Sequence, residues 1–493
     1  MTYCIIRSVR LAINCAAAES IAANFLPPPT LTKPAQIADH QWLAVILVGL
    51  LAFCGSAAIG LTVGVTVPRV HDEFSYLLAA DTFVQGRLTN PTHPMWVHFE
   101  SFHIIQQPSY MSKYPPGQGL ILAAGKVLGG HPIVGVWLSF GLMCAAICWM
   151  LYAWLPPRWA LFGALLAVIH PFLGIGSYWA QGYWGGAVAT TGGALVLGGV
   201  RRLTRDPRVL YSSRMSVGLG ILAISRPYEG LLASLPVAVF IFIWMFGKRG
   251  PATTTSIGRI VLPVILIVAV IAAAMGIYNF KVTGDPLRMP YQIHEETYAM
   301  GPLFIWQDPR PEPKYHHQVI RDFHKDFAMP LYDFKSSPLR FIVIKMAGLF
   351  LVAFQALHIL VIPLIGRFTT VIAWTMRNRW ARRAIVIYCF LTLALLTESF
   401  LWVHYLAPII GLNYFFALIA MRLWQWRNKR VGKLITRLIP IFTLAITLLL
   451  TISAASQDQS NAWYHRRAEL LRRLQAQEGK HLIVVSYGAK HSF

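Results

Sequence analysis

The chain has 493 residues, of which 56% are hydrophobic and only 13% charged, with a mean hydropathy of +0.53. That composition excludes an ordinary water-soluble globular protein, and apolar runs recurring almost to the C-terminus indicate a multi-span helical membrane protein. The formal net charge of +23 would suggest a nucleic-acid partner in a soluble chain. Here the basic residues sit in short loops between apolar runs, as the positive-inside rule requires, so no nucleic-acid partner is expected.

Residues 1–40 carry Arg7 and Arg10 and then the Pro27-Pro28-Pro29 break. Their apolar stretch is short and interrupted by Asn14 and Glu19, so the reading is a loosely ordered cytoplasmic tail rather than a cleaved signal. Candidate spans follow at residues 42–66, 132–154, 158–175, 183–200, 210–224, 229–247, 258–279, 339–365, 384–400, 404–423 and 434–453. The expected fold is therefore all-α and polytopic, with about eleven transmembrane helices over residues 41–455. The apolar run 117–129 is left out, because it is too short to cross and its Lys126 and glycines fit a helix lying in the interface.

Charge supports that choice. With the N-terminus inside, Arg201, Arg202, Arg205 and Arg208, then Lys248 and Arg249, share one face. So do Arg367, Arg377, Arg379, Arg382 and Arg383, and Arg422, Arg427, Lys429, Arg430 and Lys433. If residues 117–129 crossed, every one of these clusters would face outward. Two long outer loops, residues 67–131 and 280–338, then carry almost all the acids. Long polar loops on a helical bundle are commonly functional, so chemistry is expected on the extracytoplasmic face of a cell (inner or plasma) membrane.

The first outer loop opens on His71-Asp72-Glu73-Phe74-Ser75-Tyr76, just past the first span. Two carboxylates there stand at the water–lipid boundary, where one could take a proton from a polar acceptor beside a lipid-borne donor. Phe74, Leu77, Leu78 and Phe83 recur at helical spacing, so a short interfacial helix should carry the pair in its first turn. The helix dipole alone would favour one such acid, but explains two adjacent ones less well. Further on, Lys113-Tyr114-Pro115-Pro116-Gly117-Gln118 leads into the interfacial run. Paired prolines suit a first helical turn, and Lys113 is either a snorkelling anchor or a clamp on a lipid phosphate.

At the outer ends of later spans, Arg226 and Glu229 form one ionisable pair and Glu398 with His404-Tyr405 another. Ionisable groups at membrane depth tend to be functional. Tyr178, Trp179, Tyr183 and Trp184 around Gln181 would stack on a sugar ring or form an aromatic belt. There is no Asp-x-Asp pair and no phosphate-cradling glycine loop, so no metal or other cofactor is assigned. The six cysteines, Cys4, Cys15, Cys54, Cys144, Cys148 and Cys389, avoid the outer loops and form no disulfide framework.

Residues 456–493 make a short outer tail. Trp463, Leu470, Leu471 and Leu474 predict a surface helix over 461–478, and 482–487 reads as a single strand. One strand cannot satisfy its own backbone. It either pairs with an outer-loop segment or the chain is cut short of a small domain; the second is favoured, because no loop segment shows a matching strand.

A first span ending at Asp72-Glu73, an outer loop with interfacial helices and the Lys113-Tyr114-Pro115-Pro116 segment resemble the GT-C superfamily of integral-membrane glycosyltransferases. The nearest branch is that of protein O-mannosyltransferases and the lipid A aminoarabinose transferase. The likeness covers residues 40–455 and is specific only over the first two hundred or so; this chain has Tyr-Pro-Pro-Gly where many relatives have His-Pro-Pro.

By that resemblance the donor is a polyprenyl-phosphate sugar and the acceptor an envelope lipid, glycan or protein, with membrane lipids around both. Asp72 would be the catalytic base, with Glu73 as the next candidate, and Lys113 with Arg226 would hold the donor phosphate. Tyr114, Gln118, Tyr183, Glu229, His404 and Tyr405 are assigned to substrate binding. Inverting transfer needs a carboxylate base and a stabilised leaving phosphate, for which a metal is helpful but not compulsory. The competing reading is a transporter or flippase of a lipid-linked precursor. It would predict inverted repeats and mid-membrane charges, whereas here no repeat is seen and the polar residues gather at one face.

Overall fold

The computed structural model describes residues 32–248, 250–333, 335, 337–457 and 462–485. Each expected span coincides with a helix. Seven helices are long and apolar enough to cross a membrane: Gln41–Val63 (α2), Pro132–Trp154 (α5), Pro227–Met245 (α10), Thr253–Thr283 (α11), Pro338–Ile365 (α13), Val403–Arg427 (α16) and Lys429–Ser456 (α17). The other expected spans meet shorter helices, Pro157–Val168 (α6), Ala187–Leu203 (α8), Val209–Ser225 (α9) and Arg379–Leu395 (α15). α8 and α15 end or begin in arginines, and α6 stops at Val168 before an irregular turn, so these segments fall below the length and apolarity of a full crossing. The molecule is a predominantly helical, multi-pass membrane protein.

Its helices divide by what they face. The apolar stretch of α16 is 94% buried and forms a central post, whereas that of α11 is 11% buried and turns its side chains outward. Such an outward apolar surface fits lipid, which is as apolar as the side chains it meets.

The N-terminal tail departs from expectation in part. Thr32–Asp39 is a helix (α1), and Tyr152 on α5 donates a hydrogen bond of 2.8 Å to the Ala38 carbonyl, tying it to the bundle. Residues 1–31 lie outside the described region.

In the first outer loop, His71–Val84 (α3) and Pro116–Gly129 (α4) are both short helices, as expected. Fourteen residues rise about 21 Å, so α4 cannot cross. It packs on α5 at Gly125 and Gly135. A methyl group on Gly125 would lie 1.9 Å from the Gly135 backbone nitrogen, so only glycine permits this approach. The face that α3 buries is Glu73, Ser75, Tyr76, Ala79, Ala80 and Thr82, while Phe74, Leu77, Leu78 and Phe83 remain half-buried.

A small hairpin, Ile104–Ile105 (β1) against Met111–Ser112 (β2), lies between these helices with Ile104 opposite Ser112. Ser75 on α3 bonds both Ser112 Oγ (2.7 Å) and the His103 carbonyl (2.6 Å), which pins the hairpin to the helix. The second outer loop contributes Pro290–Tyr298 (α12) and further helical turns over 318–333. It is bound to the first by Tyr298 donating to Glu100 (2.8 Å) and Ser109 donating to the Val282 carbonyl (2.8 Å).

At the C-terminal end, Trp463–Gln475 (α18) is the expected surface helix. It touches α3, where Trp463 stacks on His71 at 5.9 Å and Arg467 lies 4.1 Å from the Phe74 ring. The expected strand is corrected for its first four residues. Residues 482–485 belong to no strand and Leu482 and Val484 are 79% and 85% exposed, because among the described residues nothing supplies a partner edge; residues 486 and 487 lie outside the described region.

Candidate active site

Asp72 occupies the first turn of α3, where a carboxylate is favoured by the unpaired N–H groups of the helix start. The Tyr114 hydroxyl donates to its Oδ1, and His103 Nε2 lies 3.7 Å from its Oδ2. The side chain keeps 31% of its surface, so a reactant can reach it. Burial pushes the carboxyl upward, but the His103 ring, the Tyr114 hydroxyl and the Lys113 charge together hold it below the ordinary aspartate value. Burial first, then Lys113, drives His103 well below the ordinary histidine value, toward the neutral ring. A neutral imidazole adds little positive field, so Tyr114 and Lys113 are the partners that keep Asp72 ionised.

His103 was not legible as a site residue. It adopts φ = 61°, a left-handed conformation uncommon outside glycine, and is held there by two donors on its carbonyl, Ser75 Oγ and the Lys113 backbone N–H (3.1 Å). Its buried Nδ1 has no hydrogen-bond partner among the described residues.

Glu73 is used differently. Its Oε2 accepts from the Arg69 (2.6 Å) and Val70 (3.1 Å) backbone N–H groups, and its Oε1 accepts from the Tyr183 N–H (2.8 Å). Both oxygens are thus engaged with backbone and the residue is 2% exposed. Burial raises its carboxyl against those three hydrogen bonds. Tyr183 in turn donates to the Thr66 carbonyl and accepts at its own carbonyl from Gln118 Nε2, both near 2.9 Å. Glu73, Gln118 and Tyr183 form one framework that fixes the end of the first span against the turn before α8.

Two cations lie at this end of the bundle, and Lys113 acts on Asp72 directly. The backbone before Pro115 and Pro116 is extended, as a residue preceding proline must be, and carries Lys113 inward. Lys113 is 7% exposed, lies 3.6 Å from Glu295 on α12, and sits over the Tyr291 ring at 4.7 Å. Burial lowers its ammonium, opposed by Glu295 and Asp72. Arg226 stands at the break that Pro227 imposes between α9 and α10. Its guanidinium is 3.3 Å from Glu229 and 5.3 Å from the Tyr405 ring centre. Tyr76 stacks on Tyr114 at 4.5 Å, and His404 meets Trp184 edge-on at 5.0 Å, within electrostatic reach of Asp72 and Arg226.

The ten residues singled out from sequence therefore gather at one end of the bundle. Tyr178 stacks on Trp184 rather than standing free, and Trp179 is buried. Sequence reading missed His103, Tyr291, His294 and Glu295. The last two lie in the acid-bearing loop 280–338 and gain a role only when α12 brings Glu295 within 3.6 Å of Lys113 and His294 within 3.5 Å of Glu295. Among the described residues no group of three or more His, Cys, Asp or Glu side chains is placed to hold a metal.

No protein-family model matches the chain, and no curated protein matches it significantly. Among solved structures it is similar to ArnT from Cupriavidus metallidurans bound to undecaprenyl phosphate, with 15% identity and a TM-score of 0.46 over 77% of this chain and 60% of that one. It is also similar to the Archaeoglobus fulgidus oligosaccharyltransferase in the apo form and to AglB of that organism in complex with an inhibitory peptide and a dolichol-phosphate. Each of these shares 11% identity at a TM-score of 0.47, over 87% of this chain and 59% of the other. The chain spans about three fifths of the length of these proteins. ArnT and AglB are GT-C membrane glycosyltransferases. At TM-scores below 0.5 the likeness is one of general helix arrangement and carries no chemistry.

Proposed function

We propose that this chain is a membrane glycosyltransferase of the GT-C kind that moves a sugar from a polyprenyl-phosphate donor to an envelope acceptor at the extracytoplasmic face. The observation that carries the reading is the reachable Asp72 carboxylate, held below the ordinary aspartate value beside the buried Lys113, with Arg226 at the same end of the bundle. An acceptor hydroxyl or amine bonds to the anomeric carbon of the sugar. The bond from that carbon to the lipid phosphate breaks with its electron pair on the phosphate, and the acceptor proton passes to Asp72. Displacement from the opposite face inverts the anomeric centre. Lys113 and Arg226 stabilise the phosphate charge as it develops. Tyr114 orients the base through its hydroxyl, and the His103 ring lies 3.7 Å from the second carboxylate oxygen. Tyr405, His404 and Trp184 offer ring faces and edges to a sugar.

The test is complementation. Mass spectrometry of a strain lacking the chain should show a lipid-linked sugar accumulating and one envelope modification lost. The wild-type chain should restore both. Asp72→Asn at an equal level of folded protein should restore neither, a loss of about 100-fold or more in transfer. Restoration by that variant would remove Asp72 from the role and sink the reading.

A further inference from the structure

α8 begins at Ala187, beside the Glu73–Tyr183 contact, and rises about 25 Å to Leu203. Its last turn, at the end of the bundle away from Asp72, carries Arg201 and Arg202. The two neighbours are treated differently. Arg202 donates to the Gly198 (3.2 Å) and Trp149 (2.7 Å) carbonyls and lies 4.0 Å over the Trp149 ring. Arg201 lies 4.5 Å from the ring centre of Trp380 at the start of α15, and its buried Nε has no hydrogen-bond partner. Arg383, one turn along α15, lies 4.5 Å from the centre of that same ring and 5.6 Å from Phe240.

Two guanidiniums on one indole are at most about 9 Å apart. Arg205 and Arg379 add to the positive field at Arg201. Among the described residues none of these four arginines pairs with a carboxylate, and the nearby acid, Asp206, is taken by Arg208 at 2.5 Å. A crevice of only about 10 Å³ between α5, α8, α10 and α15 is lined by Trp154, Val237, Phe240, Trp380, Arg383 and Ile387, and marks an apolar surface there.

Like charges held together with a buried donor unsatisfied are unfavourable unless an anion joins them. Simple positive-inside arginines would be solvated and would not need to share one indole. We propose that Arg201 and Arg383 grip the phosphodiester of an anionic glycerophospholipid, with its acyl chain against the aromatic and aliphatic lining. Two guanidinium forks match the oxygens of one phosphate, and the leaflet at the basic face is the one rich in anionic lipid. This site is separate from the one around Asp72 and does not rest on the proposed transfer reaction.

The test uses the whole chain equilibrated with vesicles of equal phosphatidylglycerol and phosphatidylethanolamine, followed by native mass spectrometry of the retained lipid. The wild type should retain phosphatidylglycerol at least about fivefold over phosphatidylethanolamine. R201Q/R383Q should lose that preference, and R383Q alone, at a half-exposed position, should lose most of it while Arg201 keeps its place on Trp380. R382Q removes an equally charged neighbour that bonds the Met376 carbonyl and should change nothing. Ten millimolar inorganic phosphate should not displace the lipid. A wild type without preference, an R383Q variant that keeps it, an R382Q variant that loses as much, or displacement by free phosphate would each overturn the proposal.

Discussion

Both ends of the bundle hold cations against aromatic rings, Lys113 on Tyr291 and Arg226 on Tyr405 at one end, Arg201 and Arg383 on Trp380 at the other. They differ in their anions. At the Asp72 end each cation has its own carboxylate, Glu295 for Lys113 and Glu229 for Arg226. At the other end, among the described residues, there is none. A buried charge must be compensated, so the first pair is set in position without any ligand, while the second draws its compensation from outside the chain. The same lesson is visible at smaller scale between adjacent acids. Glu73 turns both oxygens to three backbone N–H groups, whereas Asp72 keeps an exposed edge.

The largest effect should come from asking whether the two ends face opposite sides of a membrane. In a background without cysteines, Asp308→Cys in the second outer loop should react with an impermeant thiol reagent added to intact cells. Arg208→Cys, between α8 and α9, should not react until the membrane is opened. Both positions are exposed and three expected spans, α9, α10 and α11, separate them, so labelling of both from one side would break the comparison and the span order with it. Next in size is Glu73→Ala, which strands the buried Tyr183 N–H and two more donors. We expect about 2–5 kcal/mol of lost stability, read as a lower melting temperature of the purified protein. Glu73→Gln should be only partly better, because one end of a glutamine amide presents N–H to N–H. A Glu73→Ala protein that melts normally but transfers no sugar would instead make Glu73 a second reactive group.

Much of this was readable in the residues. Apolar runs of about twenty residues located the helices, and the charge bias kept residues 117–129 out of the spans. Asp72, Lys113 and Arg226 stood out because each ends or precedes an apolar run, where a charge has few innocent reasons to be. His103 could not be found that way. Its role arises from the β1–β2 hairpin, four residues of strand too short to leave a pattern, and from bonds to Ser75 that close across the loop. Glu295 was visible as an acid but not as the partner of Lys113, because that pairing joins two loops some 180 positions apart in sequence. The failed strand at 482–485 shows the converse, since a β-rich sequence forms no strand without an edge to meet.

Lys113→Ala tests whether a paired cation serves the donor. Losing one charge-assisted contact to phosphate should raise the donor KM about tenfold to a hundredfold while leaving the acceptor KM nearly unchanged. Glu295→Gln should keep the lysine but free it from its partner, and tighten rather than weaken the donor. Equal weakening of donor and acceptor in Lys113→Ala would reduce the lysine to an anchor for α12.

The smallest effect, and the most diagnostic for Asp72, is a shift in pH dependence. A base works only when ionised, so transfer falls as pH drops through its pKa, which here lies below the ordinary aspartate value of 3.8. Burial opposes ionisation, and the Tyr114 hydroxyl is one of the contacts that overcome it. Tyr114→Phe should therefore move the acid limb of kcat/KM to higher pH while the plateau near neutrality changes only a few-fold. His103→Gln separates the two partners. If the ring is neutral, as burial and Lys113 dictate, its loss should move the limb less than the loss of the Tyr114 hydroxyl does. A larger shift in His103→Gln would mean that the imidazole is charged in the working enzyme, and that Asp72 and His103 share one proton between them.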